Sequence, residues 1–353
     1  MSTPKISAIM SVYNSEEYLS PAIESVIGQT FTDWELIIIN DCSTDTTADI
    51  LASFAKKDSR IKVHTNEVNL RLPKSLNKAI SYAEGKYIAR MDADDICLPD
   101  RFEKQYVFME KNGDVALSSC RFMTLKKEGI ASGGCGGRVD SEALCARLLF
   151  TNPILHPGII AKAEIMKELK YDETLTCTED LELWTRFAMN GYKIEIFPEY
   201  LMLYRIHDKQ ITATTIARQH DEVLKIQKKY FSHFLCDMDE KYAEFYIDGI
   251  YFTNNRDVEK YREFLKWVRK SNKKFSKGAI NYAIFEVLAE YKRKGIAKKD
   301  LLSALLCFNP FFLIKEFLRK KKQAKDDGKN CIAAAESIGL KKIGGTDEFP
   351  KFS

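Results

Sequence analysis

The chain of 353 residues has a formal net charge of +4, a hydrophobic fraction of 45% and a charged fraction of 29%. These values are ordinary for a globular protein, and the length suits one large domain with an extension, or two domains. The first residues lack a basic segment followed by an apolar run, and no stretch of about twenty apolar residues occurs. We therefore expect neither a secretory signal nor a transmembrane helix.

The nine cysteines are scattered along the chain without a Cys-x-x-Cys pair. This pattern argues against a disulfide framework and against a zinc site, and it suits a reducing cytoplasm. The charge is also unevenly distributed. Residues 256–329 carry 21 Lys and Arg against 9 Asp and Glu, a net charge of +12, which leaves −8 for the rest. A basic C-terminal segment indicates an anionic partner, unless its lysines only solvate helix exteriors.

Strand-like and helix-like segments alternate through the first 120 residues. The predicted strands are residues 6–12, 34–40, 61–64, 87–91 and 115–119. The predicted helices are residues 18–29, 46–57, 73–83 and 100–111. Such alternation predicts an α/β fold with a doubly wound, mostly parallel sheet, in which ligands bind beyond the carboxyl ends of the strands. Asp41 follows the second strand and Asp92 follows the fourth, so both should lie at that edge.

The carboxylates of Asp92-Ala93-Asp94-Asp95 are crowded at a strand end. Three such groups repel one another unless a cation lies among them. Mg²⁺ or Mn²⁺ carrying the phosphates of a substrate would satisfy them, because hard cations prefer oxygen ligands. The alternative is a solvated turn with a helix N-cap, since Asp95 and Asp100 precede helix-like sequence.

The second half of the chain changes character. The glycine-rich residues 131–137 predict either a linker or a mobile loop over the site. A helix is predicted from residue 178 to 189, followed by strands at 193–197 and 200–206. We expect residues 216–326 to be wholly helical. Residues 327–353 are predicted to be weakly structured.

Several motifs occur in a specific order. They are Val12-Tyr13-Asn14, Glu16-Glu17-Tyr18-Leu19, Asn40-Asp41-Cys42-Ser43-Thr44-Asp45, Ala83-Glu84-Gly85-Lys86-Tyr87, Asp92-Ala93-Asp94-Asp95 and Thr178-Glu179-Asp180. Together they resemble a family 2 glycosyltransferase of the GT-A fold over residues 5–215. The block Asn152-Pro153-Ile154-Leu155-His156-Pro157 resembles the subset acting in bacterial surface polysaccharide synthesis, of the O-antigen or capsule type.

The resemblance implies domain boundaries. Residues 1–215 would form the catalytic domain, with a nucleotide-sugar half at 1–120 and an acceptor half at 121–215. Residues 216–326 would form a basic helical extension, followed by the tail.

The resemblance also implies a donor site for a UDP-sugar. Tyr13 and Asp41 would bind the nucleobase and ribose, although Tyr13 also suits a core position. Asp92-Ala93-Asp94 would contact the donor as well. Arg71 stands where the family usually has glycine. It would add a cation near the diphosphate, with Lys74 as an alternative, or it is a surface arginine.

The metal site implied by the resemblance uses Asp94 first, then Asp92 and His207, and holds Mn²⁺ or Mg²⁺. Asp95 would orient the loop or cap a helix. A single histidine such as His207 is as readily structural as ligating.

Transfer needs a base for the attacking hydroxyl, and the motif assigns this role to Asp180. Glu179 would bind the acceptor or donor sugar, while His156 and Trp184 would shape the acceptor pocket. His156 is equally compatible with a structural role. An α-linked donor would then give a β-linked product.

Residues 301–322 combine an apolar, aromatic-rich face with a basic end. They predict either an interfacial helix on anionic lipid or a helix packed on the catalytic domain. We expect a cytoplasmic enzyme attached peripherally to the inner face of the cytoplasmic membrane, and no nucleic-acid partner. The expected reaction moves glucose or galactose from UDP to an acceptor such as an undecaprenyl-diphosphate-linked amino sugar.

Two other functions stay open. A sugar nucleotidyltransferase also uses an α/β sheet with paired acids, but it would need a glycine-rich basic loop where this chain has Ser11-Val12-Tyr13-Asn14-Ser15-Glu16. A catalytically inactive binding subunit of a polysaccharide assembly complex would have lost its base or metal acid, and neither is lost.

Overall fold

The computed structural model describes residues 3–126, 129–132, 140–208, 216–247 and 258–293, together with 318, 319 and 322. Its strands are β1 (Ile6–Val12), β2 (Trp34–Asn40), β3 (Ile61–Thr65), β4 (Tyr87–Arg90), β5 (Ile96–Cys97), β6 (Val115–Lys126), β7 (Gly129–Ser132), β8 (Ile160–Lys162) and β9 (Lys193–Arg205). In the described chain they form one sheet, with the order β3-β2-β1-β4-β8-β6-β9-β5 and β7 paired to β6.

The first four strands are parallel, as the alternation of strands and helices predicted. Strand β8 lies antiparallel between β4 and β6, whereas β6 and β9 are parallel to each other. The predicted α/β fold with a mostly parallel sheet is therefore confirmed, and its carboxyl edge collects the ends of β1, β2 and β4.

Helices cover both faces of this sheet. They are α1 (Leu19–Ile27), α2 (Thr47–Lys57), α3 (Leu72–Tyr82), α4 (Arg101–Lys111), α5 (Ser141–Leu148), α6 (Ala163–Leu169) and α7 (Glu179–Met189). Strand β2 is buried throughout, and its apolar side chains alternate between two cores. Leu36 and Ile38 join one cluster, while Ile37 and Ile39 join the other. This two-sided burial explains why β2 is apolar at consecutive positions.

The turn before β4 depends on a glycine. A methyl group at Gly85 would lie 2.6 Å from the backbone nitrogen of Ser7. The Gly85 amide donates to Ser7 Oγ at 2.8 Å, and Ser7 Oγ donates to Glu35 at 2.5 Å. This close approach sets the register of β4 against β1, and thereby places the acidic cluster that follows β4.

Within the described residues, four further helices follow the sheet: α8 (Ile216–Phe234), α9 (Glu240–Ile247), α10 (Val258–Ser271) and α11 (Lys277–Arg293). The Gln227 amide donates to the Leu148 carbonyl at 2.9 Å, and the Tyr230 hydroxyl donates to the Cys145 carbonyl at 2.8 Å. The apolar residues of α8–α11 belong to the same core cluster as α5 and α7. A helical C-terminal region is thus present over residues 216–247 and 258–293, and its buried side chains are continuous with the core on one face of the sheet.

Some predictions fall outside the described residues. These include most of 131–137, most of 301–322, and all of 327–353. Of residues 301–322, the structure describes 318, 319 and 322, and Arg319 makes two contacts. Its guanidinium pairs with Glu286 at 3.1 Å and lies over the Tyr282 ring. None of the helices in the described part of the chain combines the length and apolarity that crossing a bilayer requires.

Two local predictions differ from the structure. The strands expected at 193–197 and 200–206 are one strand, β9, because irregular pairing with β6 carries the chain across the break. Asp95 does not begin a helix, because Ile96 and Cys97 pair with β9 as the short strand β5. The turn and N-cap alternative for the acidic cluster is therefore wrong for Asp95.

Candidate active site

Asp41 organises the carboxyl edge of the sheet. One carboxylate oxygen accepts from the Asn66 amide at 2.7 Å and from the Leu70 N–H at 2.8 Å. The other accepts from the Arg71 N–H at 2.8 Å. Asp41 is almost fully buried, so its carboxylate fixes the loop that leads into α3.

The neighbouring residues of this edge face outward. Tyr13 follows β1 and is 50% exposed, which excludes a core position. Arg71 and Lys74 are also exposed, at the start of α3. Arg71 has φ 69° and ψ 168°, a backbone conformation that is essentially restricted to glycine. The Asp41 bond to its N–H holds this conformation in place.

The acidic cluster forms at the end of β4 as expected. Carboxylate oxygens of Asp92, Asp94 and Asp95 all lie within 4.8 Å of one another. His207, which follows β9, places Nε2 2.9 Å from Asp94 Oδ2. Ala93, which lies between Asp92 and Asp94 in the chain, is buried. The structure therefore brings together every residue predicted for the metal site.

Asp95 is the fully buried member of the cluster. Its Oδ1 accepts from the Arg205 N–H at 2.8 Å, while its Oδ2 has no partner within the described chain. Burial, followed by the charges of Asp92 and Asp94, holds the pKa of Asp95 well above its usual range. The Arg205 side chain donates to the Asp94 carbonyl at 2.7 Å. Arg205 therefore connects both Asp94 and Asp95 to β9.

Arg90 is a buried cation beside the cluster. It forms a salt bridge with Asp92 through both Nη atoms. Burial raises the pKa of Asp92 to about 6, and the charges of Asp94 and Asp180 act in the same direction against the lowering effect of Arg90. The charge of Arg90 also acts on Glu179 and Asp180. Arg90 therefore contacts the acidic cluster, and its charge also acts on the acids at the start of α7.

Asp180 is held at the first turn of α7. Its Oδ2 accepts from the Asn152 amide at 2.7 Å and its Oδ1 from the Leu181 N–H at 2.6 Å. Burial raises the pKa of Asp180. Glu179 is buried, and desolvation together with the charge of Asp180 raises the pKa of Glu179 to about 7. The pair therefore combines a fixed carboxylate with a carboxyl group that is partly protonated near neutral pH.

His156 lies behind this pair. Its Nε2 is 2.7 Å from the Tyr171 hydroxyl and its Nδ1 is 3.9 Å from Glu179 Oε1. Burial, with the charge of Arg90, lowers the pKa of His156 well below its usual range, so the ring is neutral. Trp184 is fully buried and contacts the His156 ring edge-on. Trp184 supports the wall of the site and does not line its open space.

Three residues around the site were not predicted as site residues. Arg90 stands two positions before Asp92, and the alternation of a strand places both side chains on one face. Asn152 belongs to a motif already noted, but nothing in the motif indicated its bond to Asp180. Tyr171 carries no local sequence signal, because its contact with His156 is long-range.

The comparisons with known proteins agree with this geometry. Residues 7–130 match the family described as Glycosyl transferase family 2. An uncharacterized glycosyltransferase of Methanocaldococcus jannaschii is 34% identical over 255 residues, which are 71% of this chain and 85% of that protein. The O-antigen biosynthesis glycosyltransferase WbnJ of Escherichia coli is 32% identical over 60% of this chain and 84% of its own.

Solved structures show the same fold. S. aureus TarS 1-349 in complex with UDP-GlcNAc has a TM-score of 0.58 at 18% identity, over 90% of this chain and 92% of that one. The mannosyltransferase PcManGT from Pyrobaculum calidifontis, in complex with GDP-Man and Mn²⁺, has a TM-score of 0.52 at 16% identity, over 97% and 89%. The chain therefore belongs to glycosyltransferase family 2 and is a glycosyltransferase with a GT-A-like fold.

Proposed function

We propose that this enzyme is an inverting, metal-dependent hexosyltransferase of bacterial surface polysaccharide synthesis. It transfers a hexose from a UDP-sugar to a saccharide acceptor and forms a β-linkage. The observation that carries the proposal is the acidic cluster with His207 beside it, in a structure that also fixes the Asp180 carboxylate by two hydrogen bonds. Arg90, a buried cation paired with Asp92, adds its charge to both groups.

The donor half lies along the carboxyl edge of the sheet. Tyr13 is exposed beside the loop that Asp41 fixes, so its ring is free to stack on a nucleobase. Arg71 and Lys74 supply positive charge at the start of α3, where a diphosphate needs it. The TarS complex with UDP-GlcNAc, which shares this fold, supports the choice of a UDP-sugar.

The acidic cluster suits a divalent metal ion such as Mn²⁺ or Mg²⁺. Asp94 and Asp92 offer oxygen ligands and His207 offers a nitrogen, a donor set that fits Mn²⁺. The buried Oδ2 of Asp95, without a partner in the described chain, adds an orphaned acceptor beside them. A bound ion would neutralise the charge on the departing diphosphate. PcManGT, with the same fold, binds Mn²⁺.

Asp180 is the proposed catalytic base. Its two hydrogen bonds hold the carboxylate on the first turn of α7, and its raised pKa strengthens it as a proton acceptor. The acceptor hydroxyl gives its proton to Asp180 as its oxygen bonds to the anomeric carbon. The bond from that carbon to the diphosphate oxygen breaks, and UDP leaves. Attack opposite the leaving group inverts an α-linked donor to a β-linked product.

Glu179 forms a hydrogen bond to the sugar and does not accept the proton of the attacking hydroxyl. With a pKa of about 7 it is partly protonated at neutral pH, so it can donate a hydrogen bond to a sugar oxygen. His156 and Trp184 form the wall behind Glu179, on the acceptor side.

The acceptor is proposed from the relatives. WbnJ acts in O-antigen biosynthesis, and TuaG of Bacillus subtilis, 30% identical, is a putative teichuronic acid biosynthesis glycosyltransferase. A saccharide carried on a lipid diphosphate such as undecaprenyl diphosphate is consistent with these pathways. It would place the enzyme at the inner face of the cytoplasmic membrane, with residues 301–322 on anionic lipid.

A nucleotide-release assay tests this function. The full chain is incubated with Mn²⁺ and a panel of UDP-, GDP- and dTDP-hexoses, with and without a lipid-diphosphate-linked amino sugar. We expect release of UDP, acceptor dependence, and a product heavier by one hexose. Asp94→Ala should abolish release. Nucleotide release from a GDP- or dTDP-sugar but not from a UDP-sugar would contradict the proposed donor. No nucleotide release from any donor would favour an inactive binding subunit.

Membrane attachment is tested separately. The full chain should sediment with vesicles containing anionic lipid at low salt and stay in solution with neutral vesicles, because the attraction is electrostatic. A chain that stays in solution with anionic vesicles at low salt would overturn the proposed attachment without affecting the proposed reaction.

A further inference from the structure

Glu222 connects the C-terminal helices to the loop that precedes the base. It lies in the second turn of α8, and its carboxylate reaches across to residues 176–178. Its Oε1 accepts from the Thr176 N–H at 3.2 Å and from the Thr176 hydroxyl at 2.9 Å. Its Oε2 accepts from the Thr178 hydroxyl at 2.7 Å. A single side chain thus holds two threonines of the loop that leads into α7.

This arrangement changes the way α7 begins. Thr178 occupies the N-cap position, where a threonine hydroxyl normally accepts from an N–H of the first helical turn. In the described chain its side chain makes no capping bond, and its hydroxyl donates to Glu222 instead. At the entry to α7 the Thr178 side chain therefore contacts α8 and not the first turn of α7.

Glu222 is mounted on a fixed element. Further along α8, Gln227 and Tyr230 are completely buried and donate to backbone carbonyls of α5. Because these bonds fix α8 on the catalytic core, the carboxylate of Glu222 is a fixed point for the loop. The first two residues of α7 are Glu179 and Asp180, so any rotation of the loop redirects both acids.

We propose that Glu222 is a positioning residue for the catalytic base, and that α8 is part of the catalytic unit. This inference rests on the proposed role of Asp180. Without Glu222, Thr178 regains the usual capping geometry and the loop turns with it. The Asp180 carboxylate is then displaced from the attacking hydroxyl, and a misplacement of about 1 Å costs on the order of 100-fold in rate.

The variants separate positioning from folding. Glu222→Ala removes the three hydrogen bonds from the threonines and the weaker one from the Cys177 thiol to Glu222 Oε2 at 3.9 Å. Glu222→Gln keeps them in large part, because its amide oxygen accepts from Thr176 and its amide nitrogen donates to the Thr178 hydroxyl. Asp221→Ala is the matched control, since it removes the same charge from the adjacent position, where the side chain is 82% exposed.

The experiment combines hydrogen–deuterium exchange with steady-state kinetics on the full chain. For Glu222→Ala we expect faster exchange in residues 174–182, unchanged exchange in residues 87–98, and a fall of about 10- to 100-fold in kcat. The donor KM should change less than about twofold, because the donor half is untouched. Glu222→Gln and Asp221→Ala should stay within about threefold of the parent kcat, since neither breaks the contact.

The two readouts distinguish the possible failures. Unchanged exchange in residues 174–182 of Glu222→Ala would overturn the inference, whatever the activity. Faster exchange with unchanged kcat would also overturn it, because the loop would then not position the base. If Glu222→Ala exchanges faster in residues 174–182 but the parent enzyme transfers no sugar, the proposed function and the role of Asp180 are refuted. The contact between α8 and the loop would still stand.

Discussion

Replacing Arg71 should separate backbone strain from donor binding. A non-glycine residue at φ 69° and ψ 168° stores about 1–3 kcal/mol. Glycine removes this strain but adds about 0.4–1 kcal/mol of freedom to the unfolded chain. Arg71→Gly should therefore stabilise the fold by about 1 kcal/mol, or about 1–2 °C in Tm for a chain of 353 residues. The same change removes the cation proposed for the diphosphate, which should raise the donor KM by about tenfold.

Arg71→Ala is the matched comparison, because it removes the guanidinium but keeps the strained backbone. It should raise the donor KM as much as Arg71→Gly without raising Tm. Thermal unfolding and initial rates of UDP release measure the two effects. A Tm for Arg71→Gly at or below that of the parent would refute the strain argument. A donor KM unchanged in both variants would show that Arg71 is a surface arginine.

Three further predictions concern the fold and the acids. Gly85→Ala should lower stability by about 1–3 kcal/mol or prevent folding, because its methyl group would lie 2.6 Å from Ser7 N; chemical denaturation measures this, and a parent-like midpoint would contradict it. Burial raises the pKa of Glu179 from 4.5 to about 7, so the folded state holds this proton more tightly and stability should fall as pH rises between those values. Asp92, Asp95 and Asp180 also have raised pKa values, so Glu179→Gln should lose only the Glu179 part of that decline. It should unfold at a higher temperature than the parent at pH 8; an equal or lower Tm would contradict the prediction. His207→Ala, which removes the ring beside Asp94, should weaken Mn²⁺ binding about 10- to 100-fold in calorimetry, and parent-like affinity would rule out ligation.

The sheet and the acidic edge were predictable because local pattern determines them. The buried run of β2 and the position of Asp41 and Asp92 after parallel strands are sufficient to place both at one edge. Strand β8 was not predicted, since three residues carry too little periodicity. The helical character of residues 216–247 and 258–293 was predicted, but not their packing against α5, which depends on contacts distant in sequence.

The site residues show the same limit. The motif located Asp180, but its hydrogen bond to Asn152 joins positions 28 residues apart and no spacing rule indicates it. The sequence showed only that Arg71 stands where the family usually has glycine. Its glycine-like backbone is held by the hydrogen bond to Asp41, which only the structure reveals. Glu222 lies 44 residues from Thr178, in a segment that the motifs do not cover.

The most direct test of the reaction is a comparison of Asp180→Asn with the parent enzyme. Asparagine keeps the size of the side chain but cannot accept the proton of the acceptor hydroxyl. We expect unchanged affinity for UDP with Mn²⁺ in calorimetry, and a fall in acceptor-dependent transfer of about 10²- to 10⁴-fold. Transfer by Asp180→Asn at the parent rate, with UDP binding intact, would contradict the assignment of the base and with it the proposed mechanism.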